Sequence, residues 1–274
     1  TADNTAVGRS ALANNVAASN TAVGKSALAE NTTGTRNTAV GALAMDAITT
    51  SSDGTALGYL ALSATTGGSN TAIGSSAMEA NTTGTNNAAI GYYALKANTT
   101  AAGNTALGGH TLTINTTGAD NTACGYGALY NNTTASSNTA VGKEALNANT
   151  TGTVNTAVGA YALDANTTAN NNTAVGYGAL GANTTGAQNT AVGVSALKDN
   201  TTAGTNTALG YQAGESNTTG TANTTVGSGA AASTTTGINN TAVGQACLSA
   251  NTTGGYNTVM GMNALNYHTT ASGN

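Results

Sequence analysis

The 274-residue sequence has no proline, phenylalanine or tryptophan, only two cysteines, and only 6% charged residues. Six lysines and arginines are too few for the basic surface that binds nucleic acid, so we expect no nucleic-acid partner. No apolar run approaches about 18 residues, which predicts no membrane insertion in this segment. The first residues, TADNTAVG, do not resemble a signal peptide. A net charge of −4 with 39% hydrophobic residues also argues against a disordered chain.

What the chain does contain is a tandem repeat. The aliphatic residue of an N-T-A-V-G block recurs from Val7 to Met260 at intervals of 17 residues, with two intervals of 16. The sixteen units share the consensus N-T-A-V-G-x-x-A-L-x-x-N-T-T-G-x-x, whose positions we number one to seventeen. These units leave no room for a second domain, so residues 1–274 are interpreted as a single repeat array. Because the chain opens and closes inside a repeat, we expect a fragment of a longer fibre protein.

A unit of this length is too short for a helical-hairpin repeat. Glycine at positions five and fifteen disfavours helix, whereas threonine and valine favour strands. A short strand, a turn and a return strand fit in 17 residues, and stacked units would lie about 4.8 Å apart. The sequence therefore predicts an all-β fold, a β-solenoid or β-roll of sixteen coils of about 17 residues.

Variation between the repeats predicts which positions face inward. Position four accepts only apolar residues and position nine is mostly leucine, so both are expected in the core. All sixteen charged residues fall at positions six, seven, ten, eleven or seventeen, which are expected to face solvent. Position three would then face outward, because neighbouring strand residues point to opposite sides.

Asparagine recurs at positions one and twelve. Stacked asparagines can hydrogen-bond from coil to coil, and this structural ladder is the favoured interpretation. The N-T-T segment is also a glycosylation sequon, as at Asn81, Asn98 and Asn183. Whether these sites carry glycans stays open.

No constellation of catalytic or metal-ligating residues recurs, so we expect no enzyme, no metal site and no cofactor. Cys124 and Cys247 lie seven coils apart and are expected to be small buried side chains rather than a disulfide. His110 and His268, nine coils apart, are expected to be ordinary surface residues.

The small residues at positions three and five suggest close approach by another chain. If position three faces outward, its restriction to alanine in fourteen of sixteen units predicts a homo-oligomer. The alternative is that turn geometry fixes the glycine, and a very thin coil fixes the alanine. The candidate interface residues are Ala140, Gly142, Ala157, Gly159, Ala174, Gly176, Ala191 and Gly193.

Tyrosine, the only aromatic type besides histidine, clusters at position six. A row of surface tyrosines could stack on sugars, although tyrosine is also a common residue beside strands. The candidate surface ligand contacts are Tyr59, Tyr92, Tyr126, Tyr177 and Tyr211.

The repeated N-T-A-V-G followed by x-x-A resembles the head repeats of trimeric autotransporter adhesins, which form a left-handed β-roll. It is also similar to N-T-A-V-G tracts of phage-type tail-fibre proteins. The resemblance covers all sixteen units and rests on Ala140, Val141, Gly142 and their equivalents. It implies an extracellular, cell-surface or virion fibre, built from copies of the chain as a homotrimer or higher oligomer. Because this repeat is longer than the adhesin repeat, handedness and copy number stay open.

The favoured function is accordingly the structural shaft of an extracellular fibre or adhesin that presents or spaces a binding tip. One alternative is a carbohydrate-binding surface along the rod, with glycans of a host-cell or prey surface as partners. A second alternative is an ice-binding solenoid, because regular threonine ranks on a flat surface of low charge could order water. The expected inward direction of the position-two threonine counts against ice binding.

Overall fold

The computed structural model describes residues 3–274 and divides the chain into two compact units, Thr1–Ser137 and Asn138–Asn274. Each unit is a β-solenoid with eight three-residue strands, and the described residues contain no helix. The strands of the first unit are β1 (Thr5–Val7), β2 (Thr21–Val23), β3 (Thr38–Val40), β4 (Thr55–Leu57), β5 (Thr71–Ile73), β6 (Ala88–Ile90), β7 (Thr105–Leu107) and β8 (Thr122–Cys124). Those of the second are β9 (Thr139–Val141), β10 (Thr156–Val158), β11 (Thr173–Val175), β12 (Thr190–Val192), β13 (Thr207–Leu209), β14 (Thr224–Val226), β15 (Thr241–Val243) and β16 (Thr258–Met260).

Within each unit the strands are parallel, lie in chain order and pair in a fixed register. Position two faces position two of the next coil, as in Thr156 beside Thr173, and positions three and four follow in the same way. The predicted β-solenoid is thereby confirmed. The predicted return strand is wrong, because the described part of each coil contains one strand and the remainder is turn. Hydrogen bonds between coils hold these turns, as from Leu163 N to Ala179 O at 3.0 Å.

The solenoid core is thin, with mostly alanine on its strand side and mostly leucine on its turn side. Position three points inward from β2 to β16, and Ala157, Ala174 and Ala191 are completely buried. Position nine is also buried, as predicted, with leucines such as Leu146 and Leu163 stacked on one another. The prediction that position four faces inward is wrong, because every position-four residue is exposed or half-exposed. Strand alternation then places the position-two threonine outward as well.

Glycine at position five is required by the backbone of the solenoid. Gly159 has a φ of +136°, a conformation that side chains disfavour. A Cβ at Gly159 would also lie 2.4 Å from the carbonyl oxygen of Gly176 in the next coil. The same approach recurs at Gly142 and Gly176, so glycine is needed for the stacking of coils within one chain.

Two columns of buried asparagines connect the coils, which confirms the predicted ladder. At position twelve, Asn98 Nδ2 donates to Asn81 Oδ1 at 2.7 Å and to Ala101 O at 3.1 Å. At position one, Asn87 Oδ1 accepts from the backbone N–H of Asn104 at 2.9 Å, and Asn87 Nδ2 also donates to Ala101 O at 2.9 Å. Both columns therefore meet at the position-fifteen carbonyl and tie the turn to the strand.

The position-twelve ladder breaks where the sequence departs from asparagine. The buried Oδ1 atoms of Asn31, Asn217 and Asn251 have no partner. In the coils that follow, the equivalent residues are Ile48, Thr234 and His268. The missing bonds show that each asparagine depends on the residue one coil further along the chain.

Candidate functional site

The outward face of the strands is an uncharged surface of threonine and aliphatic side chains. It is formed in each unit by positions two and four, which we call the strand face. In the second unit, Val141, Leu209 and Met260 are 37%, 48% and 72% exposed, and in the first Val7 reaches 57%. No charged residue occurs at positions two to four in any coil. The strand face is thus a broad uncharged surface in each unit.

The residues predicted to form an oligomer interface do not form such a surface. Ala140, Ala157, Ala174 and Ala191 are completely buried inside the coil of their own chain, and the prediction that they face outward is wrong. Gly142, Gly159, Gly176 and Gly193 are half-exposed, but their identity follows from positive φ and from the approach of the next coil. The alternative explanation from turn geometry and a thin coil accounts for both positions.

Unlike the strand face, positions six, seven, ten and eleven carry charged and aromatic residues, and we call these four positions together the turn face. The charged residues lie on this face or at position seventeen, as expected, and all of them are exposed or half-exposed. The five predicted tyrosines also lie on this face and are 49–58% exposed: Tyr59, Tyr92, Tyr126, Tyr177 and Tyr211. Tyr59 and Tyr211 make no ring contact among the described residues, whereas the other three do.

The first unit gathers four tyrosine side chains around His110. The rings of Tyr92 and Tyr93 stack at 3.9 Å, and the His110 ring lies 5.4 and 5.6 Å from them. On its other side, His110 lies 5.6 Å from Tyr126 and 6.1 Å from Tyr130. We call these five residues the His110 cluster. His110 is half-exposed at the surface, as expected, and the register of the coils places it between four tyrosines.

A groove of about 670 Å³ runs beside the His110 cluster on the turn face. Tyr93, His110 and Tyr130 line it, together with the ion pair between Lys96 and Glu79, whose atoms lie 3.6 Å apart. Lys96 Nζ also lies 4.2 Å from the centre of the Tyr93 ring, a cation–π contact.

The second unit has a smaller groove at equivalent positions, with a volume of about 300 Å³. Tyr161 and Tyr177 form its aromatic part, with ring centres 5.8 Å apart, and Asp164 and Lys198 supply charged groups. Partial burial raises the pKa of the Asp164 carboxyl, and the neighbouring Glu144 adds to the shift.

The two cysteines occupy different environments. Cys247 is buried, its Sγ donates to Val259 O at 3.2 Å, and burial raises the pKa of its thiol. Cys124 occupies position four and is half-buried on the strand face, so the expectation that it is fully buried is wrong. Both cysteines are free thiols.

The sequon asparagines are inaccessible in the folded chain. Asn81, Asn98 and Asn183 are completely buried, and the Nδ2 atom to which a glycan would attach donates hydrogen bonds in each case. Glycosylation at these positions would remove the ladder, so the N-T-T pattern reflects structure.

Across residues 3–274, no three histidine, cysteine or acidic side chains come together in a way that could hold a metal ion. The same residues include no helix long and apolar enough to span a membrane. Comparison with known proteins found no matching family model, no matching curated protein and no matching solved structure. The resemblance to adhesin and tail-fibre repeats therefore stays a prediction.

Proposed function

We propose that this chain is part of the structural shaft of an extracellular fibre, where it spaces a binding tip from a cell or virion surface and performs no catalysis. The observation that carries the proposal is the pair of asparagine ladders, which connect coil to coil with bonds such as Asn166 Nδ2 to Asn149 Oδ1 at 2.9 Å. In a solenoid each repeat contacts only its neighbours, so length can be extended by adding coils. Such an architecture suits a spacer.

We further propose that the fibre contains several copies of the chain, a homotrimer or a higher oligomer, packed through their strand faces. Exposed or half-exposed aliphatic or methionine side chains lie on this face in every coil except that of Cys124, beside threonine in all but one. Two copies have the same coil spacing of about 4.8 Å, so their side chains can interdigitate in register along each unit. An uncharged face also brings no like-charge repulsion when it packs against itself. A partner with another repeat length would lose this register.

The test is the molecular mass of the full chain in solution, measured by light scattering. The wild type is expected at a multiple of 26.2 kDa. The variant carrying Val158→Asp, Val175→Asp and Val192→Asp places three charges on the strand face and is expected at monomer mass with its β circular dichroism retained. The matched control carries Val154→Asp, Asn171→Asp and Gln188→Asp, at exposed position-seventeen sites in the same region.

Two outcomes would contradict the proposal of an oligomer. A wild type at monomer mass removes it directly, and dissociation of the control to the same extent shows that added charge alone separates the chains.

Electron micrographs of the wild type test the shaft itself. Filaments of constant width are expected, and compact particles would contradict the fibre function.

One observation favours ice binding as a second candidate. The threonines of position two face outward, contrary to the sequence expectation, and alternate on the strand face with the side chain of position four, which is aliphatic in most coils. An ordered Thr-x-Val rank with a spacing of about 4.8 Å is a regular surface on which water can be arranged. Thermal hysteresis of a monomeric wild type, lost in the triple strand-face variant and kept in its control, would favour this candidate over the shaft.

A further inference from the structure

The His110 cluster is built by the register of three consecutive coils. Tyr93 and His110 occupy position seven, where φ is +58° in both residues, and they project from the same turn of adjacent coils. The next coil has Gly127 at this position, which has no side chain. The space beside His110 is taken instead by Tyr126 and Tyr130, from positions six and ten. The rings thus form one continuous aromatic surface.

The groove beside the cluster has the composition of a binding site. Small residues, Ala64, Ala80 and Ala97, occupy position eleven in three consecutive coils and leave room between the rings and the turns. Hydrogen-bonding groups lie within the same groove on Glu79 and Lys96. Aromatic faces next to a few polar groups are typical of sites that hold a small ligand in a defined orientation.

We propose that this groove binds an uncharged carbohydrate chain. A sugar ring presents an apolar face of C–H groups, which packs on an aromatic ring, and hydroxyl groups around its edge, which pair with carboxylate and ammonium groups. His110 and Tyr130 supply the aromatic surface. Tyr93 joins them when Lys96, which lies over its ring, turns to a sugar hydroxyl. Glu79 and Lys96 supply acceptors and donors. A chain with ten acidic and six basic residues disfavours a polyanion such as nucleic acid.

The second unit supports the proposal independently. Its groove uses the same repeat positions, with Tyr161 at position seven and Asp164 and Lys198 at position ten. Lys143 Nζ donates to the hydroxyl of Tyr161 at 2.7 Å, so a basic side chain again accompanies the aromatic ring. Because this groove is less than half as large, we expect weaker binding there. This inference does not depend on the shaft function.

The experiment uses the whole chain and four soluble hexasaccharides: cellohexaose, maltohexaose, mannohexaose and the β-1,4-linked hexamer of N-acetylglucosamine. The chain has two histidines, His110 and the exposed His268, so the imidazole carbon–proton spectrum contains two sets of signals. We expect at least one sugar to shift the His110 signals below about 10 mM while those of His268 stay constant.

Variants then assign the site. Tyr93→Ala is expected to weaken binding about tenfold. Tyr59→Ala is the matched control, because Tyr59 is an exposed tyrosine of the same unit without a ring contact, and it should bind like the wild type. Thermal melts establish that each variant is folded, and Tyr130→Ala replaces Tyr93→Ala if the latter is not.

Three results would overturn the proposal. The first is the absence of a His110 shift with all four sugars. The second is equal weakening by Tyr59→Ala and Tyr93→Ala, which would place binding elsewhere. The third is a His110 shift with an apolar probe such as indole and none with the sugars, which would assign the groove to apolar ligands.

Discussion

Asn98 donates its side-chain amide to Oδ1 of Asn81, one coil earlier in the chain, at 2.7 Å. Its own Oδ1 accepts from Asn115 Nδ2 of the following coil at 3.2 Å. One buried side chain therefore links three coils. Position twelve is restricted to asparagine in most coils because each side-chain amide donates to the buried Oδ1 atom of the asparagine one coil earlier.

We expect Asn98→Ala to lower the free energy of unfolding by about 2 kcal/mol. The substitution leaves the buried Oδ1 of Asn81 without a donor and takes one of two acceptors from Asn115. Thr100→Ala, at an exposed site of the same coil, is the control and should change stability by less than about 0.5 kcal/mol. Urea denaturation followed by circular dichroism measures both variants. Equal effects would mean that the ladder contributes nothing specific.

The interrupted ladder in the second unit leads to a stabilising prediction. Thr234 stands between Asn217 and Asn251, and its buried hydroxyl and the Oδ1 of Asn217 lack partners beside a small void of about 10 Å³. Thr234→Asn restores both ladder bonds and should stabilise the unit by about 1 kcal/mol. Thr236→Asn, exposed in the same coil, should have no such effect. A lower unfolding midpoint for Thr234→Asn would show that the void does not accommodate the amide.

The repeat period, the solenoid and the ladder positions could all be predicted from the sequence, because each depends on a residue that recurs in nearly every unit. Which strand residues point into the core could not be predicted. Apolar restriction at position four suggests burial, but Val158 and its equivalents lie on the outer face, and Ala157 fills the core. The core between strand and turn is so thin that alanine occupies its strand side. The pattern of residues along the sequence does not reveal this thickness.

The candidate site was predicted only in part. Exposed tyrosines at position six were expected, but their ring partners occupy position seven of the same or the adjacent coil. Contacts such as His110 with Tyr130 depend on how adjacent turns lie over each other. That arrangement follows from left-handed backbone conformations at Tyr93 and His110, and tyrosine is not a residue type that indicates positive φ.

Adjacent residues of one strand test the corrected inward direction. Ala157→Asp introduces an unpaired charge into the closed core and should destabilise the second unit by at least about 3 kcal/mol. Val158→Asp points outward and should lower the free energy of unfolding by no more than about 1 kcal/mol. Thermal unfolding of the two variants, followed by circular dichroism, compares them. A larger loss for Val158→Asp would reverse the assignment.

Two aspartates should give pH effects of opposite sign. Partial burial raises the pKa of Asp164, so the folded chain binds this proton more tightly than the unfolded chain, and stability from this group increases as pH falls through the raised value. A hydrogen bond from Arg36 lowers the pKa of Asp53, so this group stabilises the fold above its ordinary pKa, and that contribution is lost as pH falls through the lowered value.

Melting midpoints at pH 7 and at about pH 3 measure both effects. Asp164→Asn should raise the midpoint at pH 7 and reduce the difference between the two conditions. Asp53→Asn should lower the midpoint at pH 7, where the bidentate contact with Arg36 is present at 2.6 and 2.9 Å. Changes of the same sign at pH 7 would contradict the assigned environments.

Two glycines in the second unit compare a left-handed conformation that side chains can adopt with a φ that only glycine adopts here, next to the following coil. At Gly159 a Cβ would lie 2.4 Å from the oxygen of Gly176, whereas at Gly178, with φ of +61°, nothing lies within 4 Å. Gly178→Ala should therefore cost only the left-handed conformation, about 1 kcal/mol. Gly159→Ala adds the strain of a φ of +136° and displacement of the neighbouring coil, and should cost at least about 3 kcal/mol. Chemical denaturation of the full chain measures both variants. If they cost the same, neither the φ of +136° nor the close approach of successive coils explains the glycine of position five.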